Sequence, residues 1–65
     1  MTARLDPWML AHPFLLGNVQ GHVAYKPNAF IKTERILPDQ PEPSEGATVQ
    51  TEGGPFLLGK PVGRP

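Results

Sequence analysis

"LDPWMLAHP" (Leu5–Pro13) runs directly into "PFLLGNVQG" (Pro13–Gly21), a run that fills a quarter of a 65-residue chain. Asp6 followed by Pro7 has the form of a helix start. The carboxylate can cap free N–H groups, and the missing proline N–H would be unpaired at the first helical position anyway. Pro13 disfavours helical geometry at His12. The stretch therefore predicts one or two helical turns presenting Trp8, Met9 and Leu10. So short a helix is marginal alone, and its bulky side chains imply packing against the rest of the chain or a partner.

Downstream, "NVQGHVAYK" alternates with period two and predicts a strand, with Val19, Gly21, Val23 and Tyr25 on one face. "KPN" is a turn signal. "AFIKTERIL" reads as a second strand with Ala29, Ile31, Thr33, Arg35 and Leu37 on one face; a short helix capped by Asn28 is an open alternative. Two strands around the turn give one hairpin, which is marginal in water by itself. From Pro38 to Gly54 the chain holds three Pro, three Gly, four acids and no base, with Val49 its one large apolar residue. That composition predicts a linker. Formal charge is segregated. It is +2 before the linker (Arg4, Lys26, Lys32, Arg35 against Asp6, Glu34), −4 within it, and +2 after it (Lys60, Arg64).

The five residues PFLLG occur at Pro13 and return at Pro55, and a Gly closes both nine-residue stretches. One reading is convergence in a chain rich in Pro, Leu and Gly. The other makes each copy an adhesive plug. Pro fixes the approach, Phe and two Leu fill a groove, and Gly permits close backbone contact. In extended form Phe14 and Leu16 share a face, as do Phe56 and Leu58. Two plugs imply equivalent grooves, which arise naturally on a symmetric oligomer. The 37 residues between the copies (18–54) reach about 120 Å when extended, enough to bridge neighbouring subunits. Linking two weak contacts raises avidity about a hundredfold or more. The partner-binding residues on this reading are Trp8, Pro13, Phe14, Leu15, Leu16, Gly17, Tyr25, Phe30, Pro55, Phe56, Leu57, Leu58 and Gly59.

Other chemistries find little footing. There is no Cys, hence no disulfide framework and no thiolate zinc site. His12 and His22 lie in different segments without ligand spacing, the single Ser is Ser44, and no Gly-rich phosphate loop is present. No catalytic, metal or cofactor site is expected. Six basic and six acidic residues cancel, so no global field recruits nucleic acid. No apolar run is long enough for a membrane span. "RILPDQP" (Arg35–Pro41) has the RxxPxxP spacing of an SH3 ligand.

Nine Pro and seven Gly together with five large aromatics suggest extended backbone with hydrophobic anchors. The expectation is a mostly irregular, extended small chain with a short N-terminal helical turn, one β-hairpin and no autonomous core, disordered until it binds. It divides into an N-terminal anchoring segment (1–37), an acidic linker (38–54) and a C-terminal anchoring tail (55–65). The expected function is that of a non-enzymatic structural accessory. It would adhere like cement, through the two PFLLG plugs, to a larger homo-oligomeric assembly with repeated grooves. A viral capsid or tail is favoured, which places the chain in a virion, or otherwise in the cytoplasm. The alternatives are a small accessory subunit of a respiratory, photosynthetic or ribosomal complex, and a Pro-rich SH3-type regulatory ligand.

Overall fold

The computed structural model describes residues 2–62, and they form a five-stranded mixed sheet. The strands are β1 (Ala3–Ala11), β2 (Phe14–Gln20), β3 (Ala29–Lys32), β4 (Thr48–Thr51) and β5 (Gly54–Leu58), in the spatial order β3-β2-β1-β5-β4. β1 is central, antiparallel to β2 and parallel to β5. This corrects the expectation of an irregular, extended chain without a core. Ala3, Leu5, Trp8, Leu15, Val19, Ile31, Val49, Phe56 and Leu58 are buried together, drawn from all five strands.

The helical turn is also corrected: Leu5–Pro13 lies within β1 and the turn that follows it. Leu5 pairs with Val19 and Trp8 with Gly17, so the register slips between them and Asp6–Pro7 forms a bulge. A bulge interrupts the ladder, so a residue without an N–H is tolerated there. The same slip keeps both Leu5 and Trp8 pointing inward although they are three apart. That odd spacing is what imitates a helix. His12 and Pro13, joined by a cis peptide bond, make the two-residue turn into β2.

The strand expected at Asn18 starts earlier and stops sooner. β2 takes in Phe14–Gly17 of the first PFLLG and ends at Gln20. Gly21 (φ +74°) opens a loop through Asn28, in which Val23 is fully exposed instead of sharing an inner face with Val19. β3 is a strand and not a helix, pairing with β2 antiparallel over Ala29–Lys32. Ala29, Ile31 and Thr33 face inward as the alternation predicts; Arg35 and Leu37 do not, because the chain changes neighbours there. The N–H groups of Thr33 and Ile36 donate to Leu15 O on β2 and to Pro13 O in the turn before it. In between, Arg35 O accepts from Glu52 N–H and Leu37 N–H donates to Gln50 O on the far edge. Residues 33–37 thus touch both edges of the sheet and draw it closed.

The stretch expected to contribute nothing to a core supplies β4. Val49 is fully buried, and Thr51 is buried with its hydroxyl donating to Gly54 O at 2.8 Å and accepting from Gly53 N–H at 3.1 Å. On β3's inner side, the Thr33 hydroxyl accepts from Leu15 N–H and donates to Glu34 O. Both inward-facing threonines are therefore satisfied, as burial of a polar group requires.

Candidate interaction surface

The two PFLLG copies become β2 and β5, the two strands that flank β1. Their closing glycines meet the β1 bulge from opposite sides. A Cβ on Gly17 would sit 2.5 Å from Pro7 O, and one on Gly59 would overlap the Asp6 carboxyl. Gly59 N–H donates to Leu5 O at 2.7 Å, and Gly59 O accepts from the Trp8 indole N–H at 2.8 Å. The Asp6 carboxylate, paired with Arg4, also accepts from Lys60 N–H. Each copy therefore delivers a glycine where the chain must come close to Asp6–Trp8.

The copies differ in phase. In the second, Phe56 (3% exposed) and Leu58 point into the core, while Pro55 and Leu57 (36%) point out. In the first, Leu15 (0%) and Gly17 point in, and Phe14 and Leu16 are turned to the outer face. A strand shows alternate residues to opposite faces, so a single step in phase exchanges the two sets. Phe56 and Leu58 cannot fill a partner's groove while this sheet exists.

The structure gathers some proposed partner-binding residues on the outer face of β1, β2 and β3. Met9 pairs with Leu16, which faces Lys32 on β3, and Phe14 and Phe30 lie on the same side of the sheet. Phe30 is 62% exposed and Met9 is also exposed. The Lys32 ammonium sits 4.6 Å from the centroid of the Phe14 ring, a cation–π contact. Trp8, Leu15, Phe56 and Leu58 are core residues, Gly17 and Gly59 are buried at the bulge, and Pro13 is in the β1–β2 turn. Tyr25 stands on the 21–28 loop, its ring 4.7 Å from that of His22, which stacks on Phe56 at 5.8 Å. Met9, expected on a helical turn beside Trp8 and Leu10, was not among the residues assigned to partner binding. The signal was its spacing of seven from Leu16, symmetrical about a two-residue turn, which is legible only once β1 is read as a strand.

A second apolar feature lies at the opposite end of β2 from the 21–28 loop. An open groove of about 640 Å³ beside the His12–Pro13 turn is lined by Leu10, Leu37, Pro38 and Pro41, with Arg35, Asp39 and Glu42 among its walls. It is built from "RILPDQP". Asp39 has φ +67°, so the backbone turns there, whereas an SH3 ligand needs an unbroken polyproline II helix.

His12 and His22 fall at opposite ends of β2, and no group of three metal-ligating side chains occurs among the described residues. No helix among those residues is long and apolar enough to cross a membrane. No protein-family model, curated protein or solved structure matches the chain.

Proposed function

We propose that the protein is a non-enzymatic structural accessory that docks on a larger protein assembly through the outer face of β1, β2 and β3. The observation that carries this reading is the cross-strand apolar cluster of Met9, Phe14, Leu16 and Phe30 around Lys32. Met9 and Phe30 are exposed and Phe14 and Leu16 half-buried beside them; aromatic and methionine side chains are enriched at protein interfaces, and such a cluster marks a contact surface more often than a scatter of single residues does. The Lys32 charge disfavours pairing of this face with itself, since like charges would meet across a two-fold axis. An apolar surface carrying carboxylates is the matching partner.

The docking mode differs from the two-plug staple. Only the first PFLLG contributes side chains to the β1–β3 patch, and the outward Pro55 and Leu57 of the second lie on β5, so attachment is through one surface and not two tethered ends. A symmetric particle, with a viral capsid or tail as the favoured kind, offers many copies of one surface to a small module of this form. The test is co-sedimentation of the tagged full chain with large particles from candidate sources, with Phe30→Asp and Met9→Asp as partners to the wild type. Both positions are exposed, so the fold should survive, as an amide spectrum can verify. The wild type should sediment with one repetitive assembly, and each variant should lose at least about tenfold of that binding, the scale of one well-packed aromatic anchor. Equal sedimentation of wild type and variants, or none by any of them, would remove the reading.

A further inference from the structure

We infer that copies of this chain associate head to tail, the tip of the 21–28 loop of one copy entering the groove beside the His12–Pro13 turn of the next. This contact uses neither Phe30 nor Met9 and is independent of the outer-face docking.

The tip is apolar, projecting and pre-ordered. Val23 is fully exposed and Tyr25 is exposed beside it, yet the loop is not slack. Ala24 N–H donates to His22 Nδ1 at 3.0 Å and Tyr25 N–H to His22 O. At the base, Asn28 N–H donates to Val19 O at 2.7 Å, and the Asn18 and Gln20 side-chain amides donate to Asn28 O and Asn28 Oδ1. The His22 ring anchors the loop on Phe56. A loop braced this fully, with a valine held in water at its apex, is pre-organised for a contact that the chain itself does not make, and pre-organisation lowers the ordering cost of binding.

The groove is the complementary feature. Leu10, Leu37, Pro38 and Pro41 give it apolar walls, and its size lies within the range of ligand clefts. Charge favours the pairing: the tip carries Lys26, and in the groove the carboxylates of Asp39 and Glu42 outnumber the one cation, Arg35. The two features lie at opposite ends of β2, a strand of seven residues or roughly 24 Å. One copy therefore cannot place its own tip in its own groove. Two different surfaces meeting make a heterologous contact, which builds rings or chains and not simple two-fold dimers.

The experiment uses the full chain in analytical ultracentrifugation up to about 1 mM, where contacts of only about 4 kcal/mol populate. The mass should rise past that of a dimer with concentration, and the rise should weaken with salt, since an exposed Lys–carboxylate pairing is screened. Val23→Asp spoils the tip and Leu37→Asp spoils the groove. Each alone should remain monomeric, and their mixture should form a one-to-one complex that grows no further, since one intact tip meets one intact groove. Lys26→Glu and Glu42→Lys, both at exposed positions, repeat the logic without touching apolar residues: each should weaken association about threefold to tenfold, and mixing them should restore it. A wild-type chain that stays monomeric to 1 mM would overturn the inference. So would a mixture of the two aspartate variants that shows no complex, or a dimer indifferent to Val23→Asp. Because the outer face is intact in all these variants, binding to a larger assembly can persist when this inference fails, and the reverse also holds.

Discussion

Gly17 and Gly59 look interchangeable as the closing residues of PFLLG, but they are confined by different atoms. A methyl group at 17 would press on Pro7 O, at 2.5 Å, and on the Trp8 backbone, neither of which can move without shifting β1. At 59 it would press on the Asp6 side chain, which can rotate away at the expense of its bonds to Arg4 and Lys60 N–H. Gly17→Ala is therefore expected to be the more damaging change, by overpacking of about 1–3 kcal/mol or more. Gly59→Ala should cost less. Urea unfolding of the two variants checks the order; equal losses would mean that the Asp6 contact is as rigid as backbone.

At the scale of the element, the two PFLLG strands make opposite demands on the same five residues. Phe56→Ala should cost about 3–5 kcal/mol and Leu15→Ala about 2–5, the usual range for emptying a core site. Phe14→Ala and Leu57→Ala should each cost under about 1 kcal/mol, because those side chains lie on the outer face. Denaturation midpoints of the four variants should cross the repeat: position two critical in one copy, position three in the other. Sequence could supply the correct pairing of faces within each copy, Phe with the second Leu, but not which face is buried, since that is set by register against neighbouring strands. For β1 the obstacle was different. Asp6–Pro7 satisfies the rules for a helix start and for a strand bulge equally well, and only the partners on either side decide between them. β4 was hidden because one large apolar residue, Val49, cannot by itself outweigh the Pro- and Gly-rich composition around it. The outer-face residues Phe14 and Leu16 were legible as a pair from alternation alone, whereas Met9 needed the hairpin first.

For the whole molecule, a core shared by all five strands predicts that the free chain folds. The isolated full-length protein should give dispersed amide resonances and one cooperative thermal transition, in contrast to what its composition suggests. Hydrogen exchange should be slowest in β1, the strand bonded on both sides over part of its length, and fastest in 38–45, which contributes little ladder. A narrow, overlapped spectrum would contradict the closed sheet. Closure also bears on solubility. Residues 33–37 occupy backbone groups of β2 and β4 that would otherwise form open edges, leaving the four-residue β3 as the short exposed margin, a common defence against edge-to-edge aggregation.

The parallel pairing of β1 with β5 joins the first strand of the sheet to its last. During synthesis, Leu5 and Trp8 must wait for Leu58 and Gly59 before their second neighbour exists. Until then the emerging chain carries a half-clothed central strand. The most vulnerable moment in this protein's life is therefore the interval before its final strand is made. A premature stop anywhere before Gly54 should yield not a smaller domain but an insoluble fragment.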